Sequence, residues 1–523
     1  MTEHIDGAED AVTEPGAESE VAQPAAPRSA RGAVLVGARI LTGTIGVVIG
    51  VAVVAAAGWL PLPSIAVTPS ATTVTPVPTD QQRVCAGPIL RLGSDTGEGA
   101  TTASSIGTPR VEYAANEGAP TANQLESTDS TTGVTPVRIT LPPTHSPGSR
   151  LPLLSASQTQ TVDRADVVGL AAAECREASG DAWLVGGATT TGRTSILTMS
   201  NPGQVIATVD VTIYTESGEV TAAGTDGIVV PPGGQRVLSL AGFAPGAAAP
   251  VVRVQSRGSL VVANLQQSIV RTLEPGGVDV IGAVAGPTKT TVIPGIVLAD
   301  PESIAARANA PGYDDLGSVL RAFVPGKEDA HVKLTITRET PAGAAAGSAA
   351  PKPTNVNMTL DAGKVSETSL GAFDAGVYTI TAESDVPILV AARASRYSET
   401  AGSAARVDFA WFAAAPALER RALIAVGDGP SPGLHLANPT SHDATVTVKQ
   451  TSTSTGKPAA ADNRLTIPAG AAVAMSARNG VSYALSGFDR LMASVSYGTA
   501  DELAAFTVTP TGPASQPITV YRR

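Results

Sequence analysis

From about residue 165 onward the chain alternates apolar and polar positions in runs of five to seven residues, broken by Asn-Pro and Pro-Gly pairs. In VDVTIYT, Val209, Val211 and Ile213 share one face and Asp210, Thr212 and Tyr214 the other. That period of two is the mark of a strand with one buried face, and the breakers supply turns. The runs recur in a fixed order. ILTMSNPGQVIATVDVTIYTESG, from Ile196, parallels LHLANPTSHDATVTVKQTSTSTG, from Leu434, with Asn201-Pro202 and Asn438-Pro439 at the same turn. A middle copy starts at Val319 and carries an Ala/Pro/Gly insertion between Ala342 and Pro353. Before each copy stands a linking strand: ADVVGLAAAE from Ala165, VDVIGAVAGP from Val278 and VDFAWFAAAP from Val407. Seven or so strands in about 115 residues fit an immunoglobulin-like sandwich. A propeller is the runner-up, because its blades repeat at about 40 to 50 residues.

The N-terminal part reads differently. Residues Ile40 to Leu60 run 21 positions without a charge. As a helix they reach about 31 Å, against a hydrocarbon core of about 30 Å. Arg28, Arg31 and Arg39 flank the N-terminal side, no Lys or Arg follows closely on the other, and Trp59 suits the outer interface. The positive-inside bias then keeps the N-terminus in the cytoplasm and exports the rest. A cleaved signal peptide is the competing reading, with Ala55-Ala56-Ala57 as its processing site. The expected organisation is an acidic, disordered cytoplasmic tail (1–38), a transmembrane helix (39–60), a Pro/Thr/Ser-rich spacer (61–83), a divergent first β domain (84–180) and three β-sandwiches (181–290, 291–415 and 416–523). The fold class is all-β: tandem immunoglobulin-like sandwiches after one membrane helix.

Composition narrows the function. A net charge of −11 with no basic stripe argues against nucleic acid. The two cysteines, Cys85 and Cys175, both follow the apolar segment. Outside the cytoplasm they are expected to pair, closing a loop of about 90 residues at on the order of 4 kcal/mol; two buried free thiols are the alternative.

The block DAWLVGGATTTGRTSILTMSNPG, Asp181 to Gly203, together with Cys175 and VCAGP at Val84 to Pro88, resembles an uncharacterised actinobacterial family of secreted or membrane-anchored proteins. The resemblance implies a cell-envelope setting and names an envelope glycosyltransferase as a candidate partner. It supplies no catalytic residue.

Little in the chain points to chemistry. His435 and His442 flank the Asn438-Pro439 turn and read as solvent-facing; no metal-binding spacing occurs among the five histidines, and no serine stands in a triad motif. Asp95 lies in a lone Asp-Thr-Gly, and an aspartic dyad needs two. Asp166, Asp279 and Asp408 recur at one place in the linking strands, which points to a structural hydrogen bond at a strand start. Trp183 and Trp411 read as core or interface. No catalytic, cofactor or metal residue is assigned. The expected function is a non-catalytic binding or scaffolding module anchored in the envelope membrane; the alternative is an accessory or hydrolytic enzyme acting on wall polysaccharide.

Overall fold

The computed structural model describes residues 48–51, 71–74, 80–93, 103–127, 129, 134–143, 152–344, 351–371, 373–399, 405–451, 462–511 and 518–521. The expected membrane helix over 39–60, the acidic tail and Asp95 fall outside these residues, apart from a helical turn at 48–51. No helix among the described residues is long and apolar enough to cross a membrane. Contacts divide the chain into two units, Met1–Val74 with Ile518–Arg523, and Thr75–Pro517. In the first, Ala71–Val74 pairs antiparallel with Ile518–Tyr521. The second holds the remaining described strands.

That unit is all-β, as the alternation predicts. In strand Ala207–Thr215 burial alternates without a break, Val209, Val211 and Ile213 inward. The second, third and fourth repeats each build two sheets. In the second repeat these are separate five-stranded sheets, one holding Val251–Arg257 and the other Val262–Arg271. In the third and fourth, single long strands, Gly376–Ser398 and Val481–Gly498, run through both sheets and join them. The clearest sign of common construction is the asparagine turn. Asn201 Nδ2 donates to the carbonyls of Val205 and Val230 at 2.8 and 3.1 Å, and Asn438 Nδ2 to those of His442 and Ile467 at 2.7 and 3.0 Å. The offsets along the chain are the same in both. An amide side chain that satisfies two carbonyls closes the turn and leaves no buried acceptor unpaired.

The repeats do not form the expected tandem row, and the immunoglobulin-like strand order is not confirmed. The linking strands, Val168–Glu174, Glu274–Gly282, Arg406–Ala413 and Leu503–Thr507, pack on one another in cyclic order, the last against the first. Each is the innermost member of its own antiparallel sheet, so four sheets radiate from a shared axis in a propeller-like ring. The long period misleads because one repeat contains a blade and a second sheet packed outside it. Short parallel pairings interlock the repeats: Glu126–Ser127 joins the blade of the second repeat, and Thr340–Pro341 that of the fourth. Close approach at the axis demands small residues. A Cβ on Gly169 would lie 2.5 Å from Asp408 Oδ1, and one on Gly277 2.7 Å from the Phe409 ring; both also take positive φ.

Candidate functional site

Cys85 and Cys175 form a disulfide with an S–S distance of 2.05 Å. Both are buried. Beside them the Val84 and Arg176 backbones exchange hydrogen bonds of 2.8 and 2.9 Å, so the bridge clamps the N-terminal strand of the ring onto the end of the first linking strand.

The axis carries the recurring aspartates. Asp408 is fully buried and accepts from the backbone N–H groups of Leu170 (2.9 Å), Val278 (3.3 Å) and Leu503 (3.0 Å), one from each of the other three linking strands. Asp279, also fully buried, accepts from Trp411 N–H at 2.7 Å and Val280 N–H at 2.8 Å. Burial pushes the Asp408 carboxyl well above its usual range and that of Asp279 up to about 8, against the pull of those amides. These two carboxyls are therefore clamps between linking strands, the structural hydrogen bonds that the sequence anticipates, although Asp279 makes its bond to Trp411 in mid-strand rather than at a strand start. Asp166 departs from the pattern: it is half-buried and lies 3.5 Å from Arg91. Glu502 holds the matching place in the fourth linking strand, eight residues before Pro510 as Asp279 is before Pro287. At the other end of the axis Glu174 accepts from Thr509 N–H and lies 3.6 Å from Arg176. The cavity bounded by Glu174, Arg176, Trp411 and Thr507 has room for about one water.

A second polar assembly escaped the sequence. Glu339 Oε2 lies 2.8 Å from His435 Nδ1, and His435 Nε2 lies 2.8 Å from Ser496 Oγ. Glu339 Oε1 accepts from Gly295 N–H at 2.8 Å and Thr379 O–H at 2.7 Å. Burial alone would raise the Glu339 carboxyl; His435 and these donors together hold it below its usual range. The order of groups is that of an acid–base–nucleophile relay, but Ser496 is only 6% exposed. The expectation for His435 is corrected here. It is buried rather than solvent-facing, because strand Gly433–Ala437 lies between two neighbours in its sheet and has both faces covered. His442 does sit at the exposed turn. The relay joins residues 339, 435 and 496 from two repeats, a juxtaposition that no local motif records. Trp183 and Trp411 are both buried, the latter donating from Nε1 to Gln267 Oε1 at 2.7 Å. No group of three His, Cys, Asp or Glu among the described residues could hold a metal ion.

The repeat, the ring and these residues can be set beside known proteins. A model of a family of unknown function, DUF5719, matches residues 131–478. The chain belongs to this family. The DUF5719 stretch contains Cys175, Asp279, Glu339, Asp408 and His435, and leaves Cys85 and Ser496 outside. No curated protein matches the chain. A solved structure titled "Crystal Structure of Thermotoga maritima 1070" aligns at 18% identity over 24% of this chain and 92% of that one, with a TM-score of 0.18, too slight to bear on fold or function.

Proposed function

We propose that this DUF5719 protein is a non-catalytic binding or scaffolding module of the cell envelope, held by one membrane helix with its N-terminus in the cytoplasm and the ring outside. The observation that carries the reading is the buried Cys85–Cys175 disulfide, since such bridges persist in oxidising compartments and are rare where thiols are kept reduced. The charge-free Ile40–Leu60 segment with arginines on one side supplies the anchor, and the exposed Val48, Ile49 and Val51 fit a helix whose solvent is lipid. The buried carboxyls at the axis are spent on holding strands together and leave no accessible acid–base pair there. Protease added to intact spheroplasts is expected to digest the chain beyond Trp59, and thiol alkylation of the untreated protein to label neither cysteine. Protection of the ring, or two free thiols, would sink the placement. For scaffolding, affinity capture from solubilised membranes is expected to return an envelope glycosyltransferase reproducibly; recovery of wall fragments alone counts against it.

One observation favours an enzyme as the second reading. The Ser496–His435–Glu339 relay has the geometry to activate a serine for attack on an ester, such as an acyl substituent on wall polysaccharide. A fluorophosphonate probe decides between the two. Labelling that is lost in Ser496→Ala supports the hydrolase, and an unlabelled native protein supports the scaffold.

A further inference from the structure

At the junction of the second and third repeats, three arginines converge on one aspartate. Asp315 Oδ1 accepts from Arg271 Nε and Nη2 at 3.1 and 2.7 Å, and Asp315 Oδ2 from Arg193 Nε and Nη2 at 3.3 and 2.8 Å. Each oxygen thus receives a guanidinium edge. Arg393 donates from Nη2 to the Asp315 backbone carbonyl at 2.6 Å. Arg271 and Arg393 are both at least nine-tenths buried, and Arg393 Nε has no partner. The nearby Glu274 is already taken by the Tyr313 hydroxyl at 2.7 Å. Three positive charges therefore share a single carboxylate, where buried charges are normally matched one for one. Planar forks presented edge-on are the geometry that binds carboxylate and phosphate oxygens.

Asp315 does not belong to the sheets that carry these arginines. It sits on the connection between helix Pro301–Ala308 and strand Val319–Phe323. That connection has Gly312 at φ +81° and Gly317 in open space on either side of the aspartate. Tyr313 and Leu316 are buried beneath it and hold it in place.

We propose that Arg193, Arg271 and Arg393 form an anion-binding cage for a phosphate or carboxylate group, with Asp315 as its internal occupant, which an incoming ligand displaces. This reading goes beyond the scaffold function and does not depend on it. Removal of the internal carboxylate by Asp315→Asn leaves the guanidiniums short of an anion, so the full-length variant loses stability. Inorganic phosphate is expected to restore it, and chloride at the same ionic strength is not. Adding Arg393→Gln to that variant weakens the phosphate effect by about tenfold, the loss of one charge-assisted contact. Equal effects of phosphate and chloride, or equal restoration with and without Arg393, overturn the cage; so does a variant that neither salt can fold. In the native protein, phosphate is expected to speed backbone hydrogen exchange over residues 309–318, and unchanged exchange overturns the displacement. A glycerol-phosphate polymer run beside inorganic phosphate separates the sources: response to the polymer alone identifies a polymer-borne group, and response to both a free ion.

Discussion

Asp279 on the axis and Glu339 at the junction of the third and fourth repeats are both shut away from solvent, yet their carboxyls end up displaced in opposite directions. Asp279 has only amide N–H groups for company, from Trp411 and its own neighbour Val280. Those two donors do not match the cost of removing a carboxylate from water, and its carboxyl rises to about 8. Glu339 has two donors of a similar kind, Gly295 N–H and Thr379 O–H, and also an imidazole at 2.8 Å. Burial pushes its carboxyl up as well, but the added partner reverses the outcome. The imidazole separates a buried carboxyl that prefers its proton from one that prefers its charge. Strand-clamping needs only an acceptor, and a protonated carboxyl still provides one.

The strongest challenge to this contrast is the removal of Asp408, which touches all three of the other linking strands. Asp408→Ala leaves the amides of Leu170, Val278 and Leu503 without a buried acceptor. At about 1–3 kcal/mol for each orphaned donor, the loss is on the order of 6 kcal/mol, enough to unfold many domains. Denaturant titration followed by circular dichroism measures it. A loss no larger than that of an ordinary surface mutation would mean that the ring closes without its central clamp.

Acid and base titration sharpens the contrast next. The folded chain keeps a proton on Asp279 that the unfolded chain releases near the ordinary 3.8. Its contribution is therefore complete below about pH 4 and is lost as the pH rises toward about 8, at most on the order of 5 kcal/mol. Glu339 has the opposite sign. Its folded carboxyl lies below the ordinary 4.5, so its contribution is present above that value and fades as the pH falls through the folded one. Thermal melts across pH are expected to show an alkaline decline that flattens in Asp279→Asn, and an acid decline that flattens in Glu339→Gln. Exchange of the two limbs between the variants would refute the assignment.

Breaking the relay itself has a smaller expected cost. Glu339→Gln at neutral pH removes the charge facing His435 and leaves the ring nitrogen against an amide, at about 3 kcal/mol for a buried charged partner. Ser496→Ala removes only a hydroxyl and is expected to cost about 1 kcal/mol. If chemical denaturation ranks the serine above the glutamate, the carboxylate does not organise that junction.

How much of this was legible in the sequence depends on what local order can record. The alternation in VDVTIYT, the asparagine turns at Asn201 and Asn438, and the place of the linking strands all follow from residues near one another in the chain, and the structure keeps them. Pairing of Cys85 with Cys175 needed only the expectation of an oxidising compartment. The ring did not follow, because a linking strand such as VDFAWFAAAP states that its faces are buried and not what buries them. His435 was misplaced for the same reason. Its neighbours Leu434 and Leu436 mark one inward face, and nothing local reveals that the opposite face meets Glu339, whose residue lies in another repeat.

The finest test lies within the linking strands, where sequence equivalence and structural role part company. Asp166 occupies the same place as Asp279 and Asp408 but is half-buried, with Arg91 at 3.5 Å and about half of its own side chain exposed. A pair in contact with solvent is worth about 0–1 kcal/mol, so Asp166→Ala is expected to shift stability by no more than about 0.5 kcal/mol, roughly a tenth of the effect at Asp408. The difference has a cause in the ring: the carboxyls of the second and third linking strands receive amides from adjacent strands, whereas that of the first is half-exposed and meets the Arg91 guanidinium, at 3.5 Å. A loss at Asp166 comparable to that at Asp408 would show that position in the repeat, rather than the donors surrounding each carboxyl, sets the energetics. The contrast between a carboxyl ringed by amides and one with a charged partner would then lose its physical basis.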